Sequence, residues 1–259
     1  MRSGWASATG SPAARWSACR GSTTNAPRCT GHCASAIAIS IPAWVAGSSP
    51  GPGPGCALPG LSGRWPPILC SVRRGILGGT FDPPHLAHLI AGEAAYRQLG
   101  LEVVSFIPAG APWQKADDGV TAAGHRWAMT ALATAGVDYF AADDREVTRD
   151  GWTYTIDTLL EFADDELVLI LGADAASRIP TWHRSAEVIG RAQVAVMPRP
   201  GTSRAAVLAS GVDATWLEVP EVGISGTMLR ERVRAGGSVR FFVREAVYRY
   251  IEDNGLYAP

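Results

Sequence analysis

Two histidines three residues apart, His85 and His88, close the run Gly78-Gly79-Thr80-Phe81-Asp82-Pro83-Pro84-His85-Leu86-Ala87-His88. Residue types at this spacing suit the handling of phosphate. Paired glycines let a phosphate approach the backbone, because no Cβ stands in the way. Free amides at the start of a following helix favour negative charge. Histidines three apart on a first helical turn project to one side. There two imidazoles can donate hydrogen bonds to phosphoryl oxygens whose charge rises during transfer. The glycine spacing is not that of a dinucleotide fingerprint, and no Gly-Lys-Ser/Thr ending makes it a P-loop. The glutamate of a zinc-protease helix is also missing beside the first histidine.

A second run, Gly223-Ile224-Ser225-Gly226-Thr227-Met228-Leu229-Arg230, carries Ser225 and Thr227 at an expected helix start. Hydroxyls and amides there can take phosphate oxygens or cap the helix. Arg230 lies three residues beyond Thr227 and offers a fork of charged donors. Lys115 is the only lysine in the chain. It follows a strand-like segment and Trp113, on the side where ligands gather, and a compact ammonium there suits transferring phosphates.

Elements of the right kind stand around these runs. Strands are expected at 75–78, 103–107, 137–141, 167–171, 193–197 and 215–219. Helices are expected at 88–99, 124–135, 155–162, 205–209, 227–235 and 243–253. Strands separated by helical segments imply an α/β fold with a doubly wound, mainly parallel, Rossmann-like sheet in three layers, ending in C-terminal helices. Ligands of such sheets bind beyond the carboxyl ends of the strands, where strand order reverses.

Composition divides the chain of 259 residues in two. Residues 1–70 hold five Arg, no acidic residue, and all five cysteines: Cys19, Cys29, Cys33, Cys56 and Cys70. The remainder holds 18 basic and 24 acidic residues, a formal charge of −6. Apolar residues make up 47% of the chain and charged residues 18%, enough to build a sizeable core. An acidic main segment argues against a general nucleic-acid binder. No apolar run reaches the 18 or more residues of a membrane span. The apolar run near Ala34–Ala46 lies too far in for a signal peptide, although an Arg-rich, acid-free start also suits an organellar transit peptide. Cys29, His32 and Cys33 do not have the spacing of a usual zinc knuckle. Residues 1–71 therefore read as a disordered, nonfunctional or mis-started extension, and 72–259 as the catalytic domain, cytoplasmic by its lack of cysteine.

The first run resembles the signature of the nucleotidylyltransferase superfamily, with Ala87 where the pattern commonly has Gly. The second resembles the superfamily's Ile-Ser-Ser-Thr-x-Ile-Arg, with Gly226 for the second Ser. The stretch from Leu171 to Arg184, with Asp174 and Trp182, is similar to that of bacterial nicotinate-nucleotide adenylyltransferases. So are Thr153–Leu159, Met197-Pro198-Arg199-Pro200-Gly201 and the ending Val247–Tyr257. The resemblance implies transfer of the adenylyl group of ATP to nicotinate mononucleotide, giving deamido-NAD and pyrophosphate in NAD biosynthesis. By the same resemblance His85, His88, Lys115 and Arg230 are catalytic. Gly78, Gly79, Thr80, Phe81, Arg199, Ser225 and Thr227 join His85, His88 and Arg230 in holding ATP. Trp113, Tyr154, Thr155, Asp174 and Trp182 hold the acceptor, with Trp182 stacked on its pyridine ring. Magnesium (Mg2+) is expected mainly on the ATP phosphates, without a protein metal site. Nucleic acid and membrane are not expected partners, and a homo-oligomer stays open. Phosphopantetheine and nicotinamide mononucleotide are the alternative acceptors, and a noncatalytic ATP-binding module the alternative of another class.

Overall fold

The computed structural model describes residues 71–112 and 119–259. Expectations for the N-terminal segment and its cysteines, and for Trp113 and Lys115, lie outside the described residues.

Six strands form one sheet: β1 (Arg73–Gly79), β2 (Val103–Pro108), β3 (Phe140–Ala142), β4 (Glu166–Gly172), β5 (Ala192–Met197) and β6 (Ala214–Trp216). Their order is β3-β2-β1-β4-β5-β6. All five neighbouring pairs run parallel. The chain winds outward from β1 to β3, then returns across β1 to start β4. The order reverses between β1 and β4, which is the doubly wound arrangement with its ligand crevice at that switch.

Period-2 alternation explains why the central strands are apolar throughout. Leu167, Leu169 and Leu171 of β4 enter one core, while Val168 and Ile170 enter the other. Val194 and Val196 of β5 divide from Ala195 and Met197 in the same way. Both faces are thus covered, as a parallel sheet requires. The first core is closed by α3 (Thr155–Leu160), α4 (Ala173–Ala176), α5 (Ser185–Arg191) and α6 (Arg204–Ala209). The second is closed by α1 (Leu86–Leu99), whose Ala87, Ala91, Ala94 and Ala95 form a buried stripe. A third core joins α2 (Ala123–Thr134) to the C-terminal helices α7 (Gly226–Arg234) and α8 (Glu245–Asp253), through Met129, Leu229, Val247 and Ile251.

Two local expectations shift, and one stretch holds elements not expected. The strand read at 137–141 begins only at Phe140, because Val137 and Phe140 donate to the carbonyls of Thr134 and Val137 and turn the chain out of α2. The strand read at 215–219 is Ala214–Trp216, although Leu217 still donates to the carbonyl of Val196. Between Ala173 and Arg191 lie α4, a 3₁₀ turn at Ile179–Thr181 and α5. These pieces are too short to carry a helical period in the sequence.

Candidate active site at the sheet switch point

β1 ends in Gly78-Gly79 at the switch, and the chain turns through Thr80–Pro84 into α1. Phe81 makes that turn with a left-handed φ of 49°. Its ring is buried beneath Gly79 and meets His88 edge-on at 4.8 Å. Phe81 is thus a floor for the loop and does not line the cavity above it.

His85 is the N-cap of α1 and is 2% exposed. Its ring stacks on that of His88 with centroids 3.8 Å apart, so the pair does face one side. The His85 backbone N–H donates to Nδ1 of His88 at 3.2 Å. With Nδ1 an acceptor, a neutral His88 carries its proton on Nε2. Burial, helped by the nearby Arg199 charge, pulls the His85 pKa down to about 3. His85 is therefore neutral at ordinary pH, and its buried Nδ1 has no hydrogen-bond partner. A buried polar atom of this kind calls for a ligand or a water. Two helix-start amides expected to be free are engaged: Leu86 donates to the carbonyl of Phe242 and His88 to that of His85. Of the two motifs, Gly78, Gly79, Thr80, Ala87 and His88 line the cavity described below, whereas His85, Ser225, Thr227 and Arg230 do not.

Ala87 sits in helical conformation at the start of α1, with its methyl buried in the second core. The departure from Gly at this position is absorbed by packing. Gly226 has a different cause. A Cβ there would lie 2.7 Å from the carbonyl oxygen of Asp82, a contact no side chain tolerates without a shift. Glycine lets the start of α7 close onto the β1–α1 turn.

That contact brings the second motif to the first. Arg230 Nη1 donates to the same Asp82 carbonyl at 2.8 Å, and Nη2 reaches Thr227 Oγ1 at 3.3 Å. Ser225 is the N-cap of α7, its hydroxyl accepting from the Met228 N–H at 3.2 Å. Its hydroxyl is thus engaged as a cap, while Thr227 is exposed.

A cavity of about 310 Å³ opens beyond the strand ends. Gly78, Gly79, Thr80, Ala87 and His88 line one part, and Tyr154, Thr155, Asp174 and Trp182 another. Arg199, after β5, lines it too, with Nε 3.8 Å from Asp174 Oδ1 and Nη1 on the carbonyl of Ile224. Asp174 is exposed and is flanked from the other side by Arg178, at 3.8 Å. His183 packs its ring against Tyr154 at 4.4 Å. The β1–α1 loop and the acceptor-side residues thus share one space.

Some participants were not foreseen from sequence. Arg126, 1% exposed, donates to the carbonyls of Thr80, Ala109, Gly110 and Thr121, clamping the β1–α1 turn to the segment after β2. Glu146 lines the cavity with its carboxyl pushed up by burial, and it accepts from the Thr158 hydroxyl at 2.6 Å. Arg178 also lines it. Only an arginine in a helix pattern, or a glutamate upstream of one, signals them in the sequence, and many surface residues share that signal. Among the described residues no three His, Cys, Asp or Glu side chains converge as metal ligands. No helix among them is long and apolar enough to cross a membrane.

The cytidylyltransferase-like family model matches residues 76–232. A probable nicotinate-nucleotide adenylyltransferase of Dehalococcoides mccartyi is 40% identical over 201 residues, covering 73% of this chain and 98% of that protein. Its counterpart in Saccharopolyspora erythraea is 40% identical over 189 residues, covering 71% and 89%. Among solved structures, the Plasmodium falciparum nicotinic acid mononucleotide adenylyltransferase complexed with NaAD superposes with a TM-score of 0.63 at 17% identity, over 72% of this chain and 97% of that one. The same protein complexed with APC gives 0.61 at 16% identity, with the same coverage.

Proposed function

This chain belongs to the nicotinate-nucleotide adenylyltransferase family, within the cytidylyltransferase-like proteins, and from that premise we propose that it joins ATP and nicotinate mononucleotide into deamido-NAD and pyrophosphate. One observation carries the reading. The glycine–histidine turn of β1–α1 and the Tyr154–Asp174–Trp182 side open onto a single cavity at the sheet's switch point. A phosphate donor held at the first and a pyridine nucleotide at the second would have their phosphates adjacent.

The acceptor's 5′-phosphate would attack the α-phosphorus of ATP in line, expelling pyrophosphate. Alignment and charge stabilisation suffice, so no protein nucleophile is needed. His88 would donate Nε2–H to the phosphoryl group, its proton held there by the His85 backbone contact at Nδ1. His85, neutral and buried with an unpartnered Nδ1, suits donation to an oxygen rather than charge pairing. The Arg230 fork and Lys115 would steady the β- and γ-phosphates, with Gly78, Gly79, Thr80, Ser225 and Thr227 along the chain of phosphates. Arg199 lies after β5 beside Asp174, on the nucleotide side. Trp182 would stack on the pyridine ring, with Trp113, Tyr154, Thr155 and Asp174 around the acceptor. Magnesium would ride mainly on the ATP phosphates. When bound, it neutralises charge on the leaving pyrophosphate. Residues 72–259 would form the catalytic domain, working in the cytoplasm.

The reading predicts that His88→Ala lowers kcat by about 10²-fold or more while KM for nicotinate mononucleotide changes far less. Steady-state pyrophosphate release tests it. Equal losses in kcat and acceptor binding would remove His88 from transition-state stabilisation.

A further inference from the structure

Beyond the cavity, one buried group ties three distant parts of the chain together. Asp82 is 4% exposed. Its carbonyl accepts from Arg230 Nη1, and its carboxylate is held from two sides. Oδ2 accepts the Thr121 N–H at 3.1 Å, beside the carbonyl that anchors Arg126. Oδ1 accepts the hydroxyl of Tyr257 at 2.7 Å, across 175 residues of sequence. Arg230 Nη1 stands 3.8 Å from Oδ2, outside hydrogen-bond contact with the carboxylate.

The path of the tail to this point is specific. α8 ends in a Schellman arrangement, with Leu256 N–H donating to Ile251 and Gly255 N–H to Glu252. Gly255 takes the left-handed conformation, at φ 58°. Tyr257 follows in the left-handed region too, at φ 66°. That conformation is strained for a bulky side chain and persists only where surrounding contacts over-determine it. The ring packs against the third core, and its hydroxyl, 3.9 Å from Met129 Sδ, donates to the carboxylate next to Arg230.

We propose that Tyr257 is a positioning residue for Arg230, acting through Asp82. By occupying Oδ1 the phenol fixes the carboxylate's orientation. Arg230 then rests Nη1 on the Asp82 carbonyl and Nη2 on Thr227 Oγ1, short of a hydrogen bond to the carboxylate. Without the hydroxyl, Oδ1 is left buried and unpartnered, and the carboxylate, then held only by the Thr121 N–H, can turn to draw Arg230 from 3.8 Å into direct hydrogen bonds. The arginine would then be withdrawn from phosphate. Burial and the Asp82 charge hold the Tyr257 phenol well above its ordinary range, so it stays a donor at every working pH.

This inference rests on the phosphate-holding role proposed for Arg230, and a double-mutant cycle tests it. Tyr257→Phe, Arg230→Ala and the double variant are compared with the full chain. The readouts are kcat and KM for pyrophosphate release, and the Kd of α,β-methylene-ATP, which needs no acceptor. Tyr257→Phe is expected to lower kcat about tenfold with KM for nicotinate mononucleotide within about twofold, and to weaken analogue binding about threefold. In the Arg230→Ala background the same substitution is expected to change each quantity less than about twofold. No loss in the parent, or equal loss in both backgrounds, overturns the proposal. A parent that releases no pyrophosphate with nicotinate mononucleotide instead overturns the functional reading, and the analogue-binding cycle still decides the role of Tyr257.

Discussion

His85 carries the sharpest consequence at the scale of one residue. Its imidazole is buried at 2% exposure, and its pKa falls from 6.5 to about 3. A depressed folded-state value means that the unfolded chain binds the proton first as pH falls. Stability present above about pH 6.5 is therefore lost on acidification between that value and about 3, with a limiting slope of about 1.4 kcal/mol per pH unit. Urea unfolding of the parent and of His85→Gln between pH 7 and 4 checks this. The parent's stability is expected to fall more steeply, and parallel pH profiles would contradict it. The histidine pair was legible in the sequence because spacing of three on a helix start is a local fact. The tautomer of His88 was not, since it depends on a backbone N–H turned toward Nδ1. Arg126 and Glu146 were equally hidden, because they act through burial and partners far along the chain. Asp82 and Tyr257 fall in stretches the sequence singles out, but their contact across 175 residues leaves no local signal.

At the scale of elements, the meeting of α7 with the β1–α1 turn decides whether the two motifs form one site. The space for a Cβ at Gly226 is closed by the Asp82 carbonyl at 2.7 Å. That same carbonyl receives Arg230. Gly226→Ser, which restores the residue usual in the resembling motif, is therefore expected to destabilise this chain. Overpacking of this kind costs about 1–3 kcal/mol. Thermal melting should fall by several degrees, at roughly 2–4 °C per kcal/mol for a domain of this size. An unchanged melting temperature would show that α7 moves aside freely. The central strands were legible from apolar runs bounded by Gly and Pro, as in β4 and β5. The edge strands β3 and β6 were not placed well, because three residues give alternation no length to repeat. The short helices after β4 were missed for the same reason, although they carry Asp174 and lead to Trp182.

At the scale of the molecule, the parallel sheet converts separated motifs into neighbours. Residues at the carboxyl ends of β1, β4 and β5 reach one crevice because the strand order reverses between β1 and β4. Within the acidic whole of residues 71–259, Arg178 and Arg199 line this crevice and flank Asp174. The central claim is that this crevice joins ATP to one particular pyridine nucleotide. The most direct test supplies the full chain with ATP and magnesium, and with nicotinate mononucleotide, nicotinamide mononucleotide or phosphopantetheine in turn. Pyrophosphate release is followed and each product is weighed by mass spectrometry. The account predicts deamido-NAD from nicotinate mononucleotide, with kcat/KM at least about tenfold above either alternative. Faster turnover of another acceptor, or ATP binding without pyrophosphate release from any of the three, would contradict it.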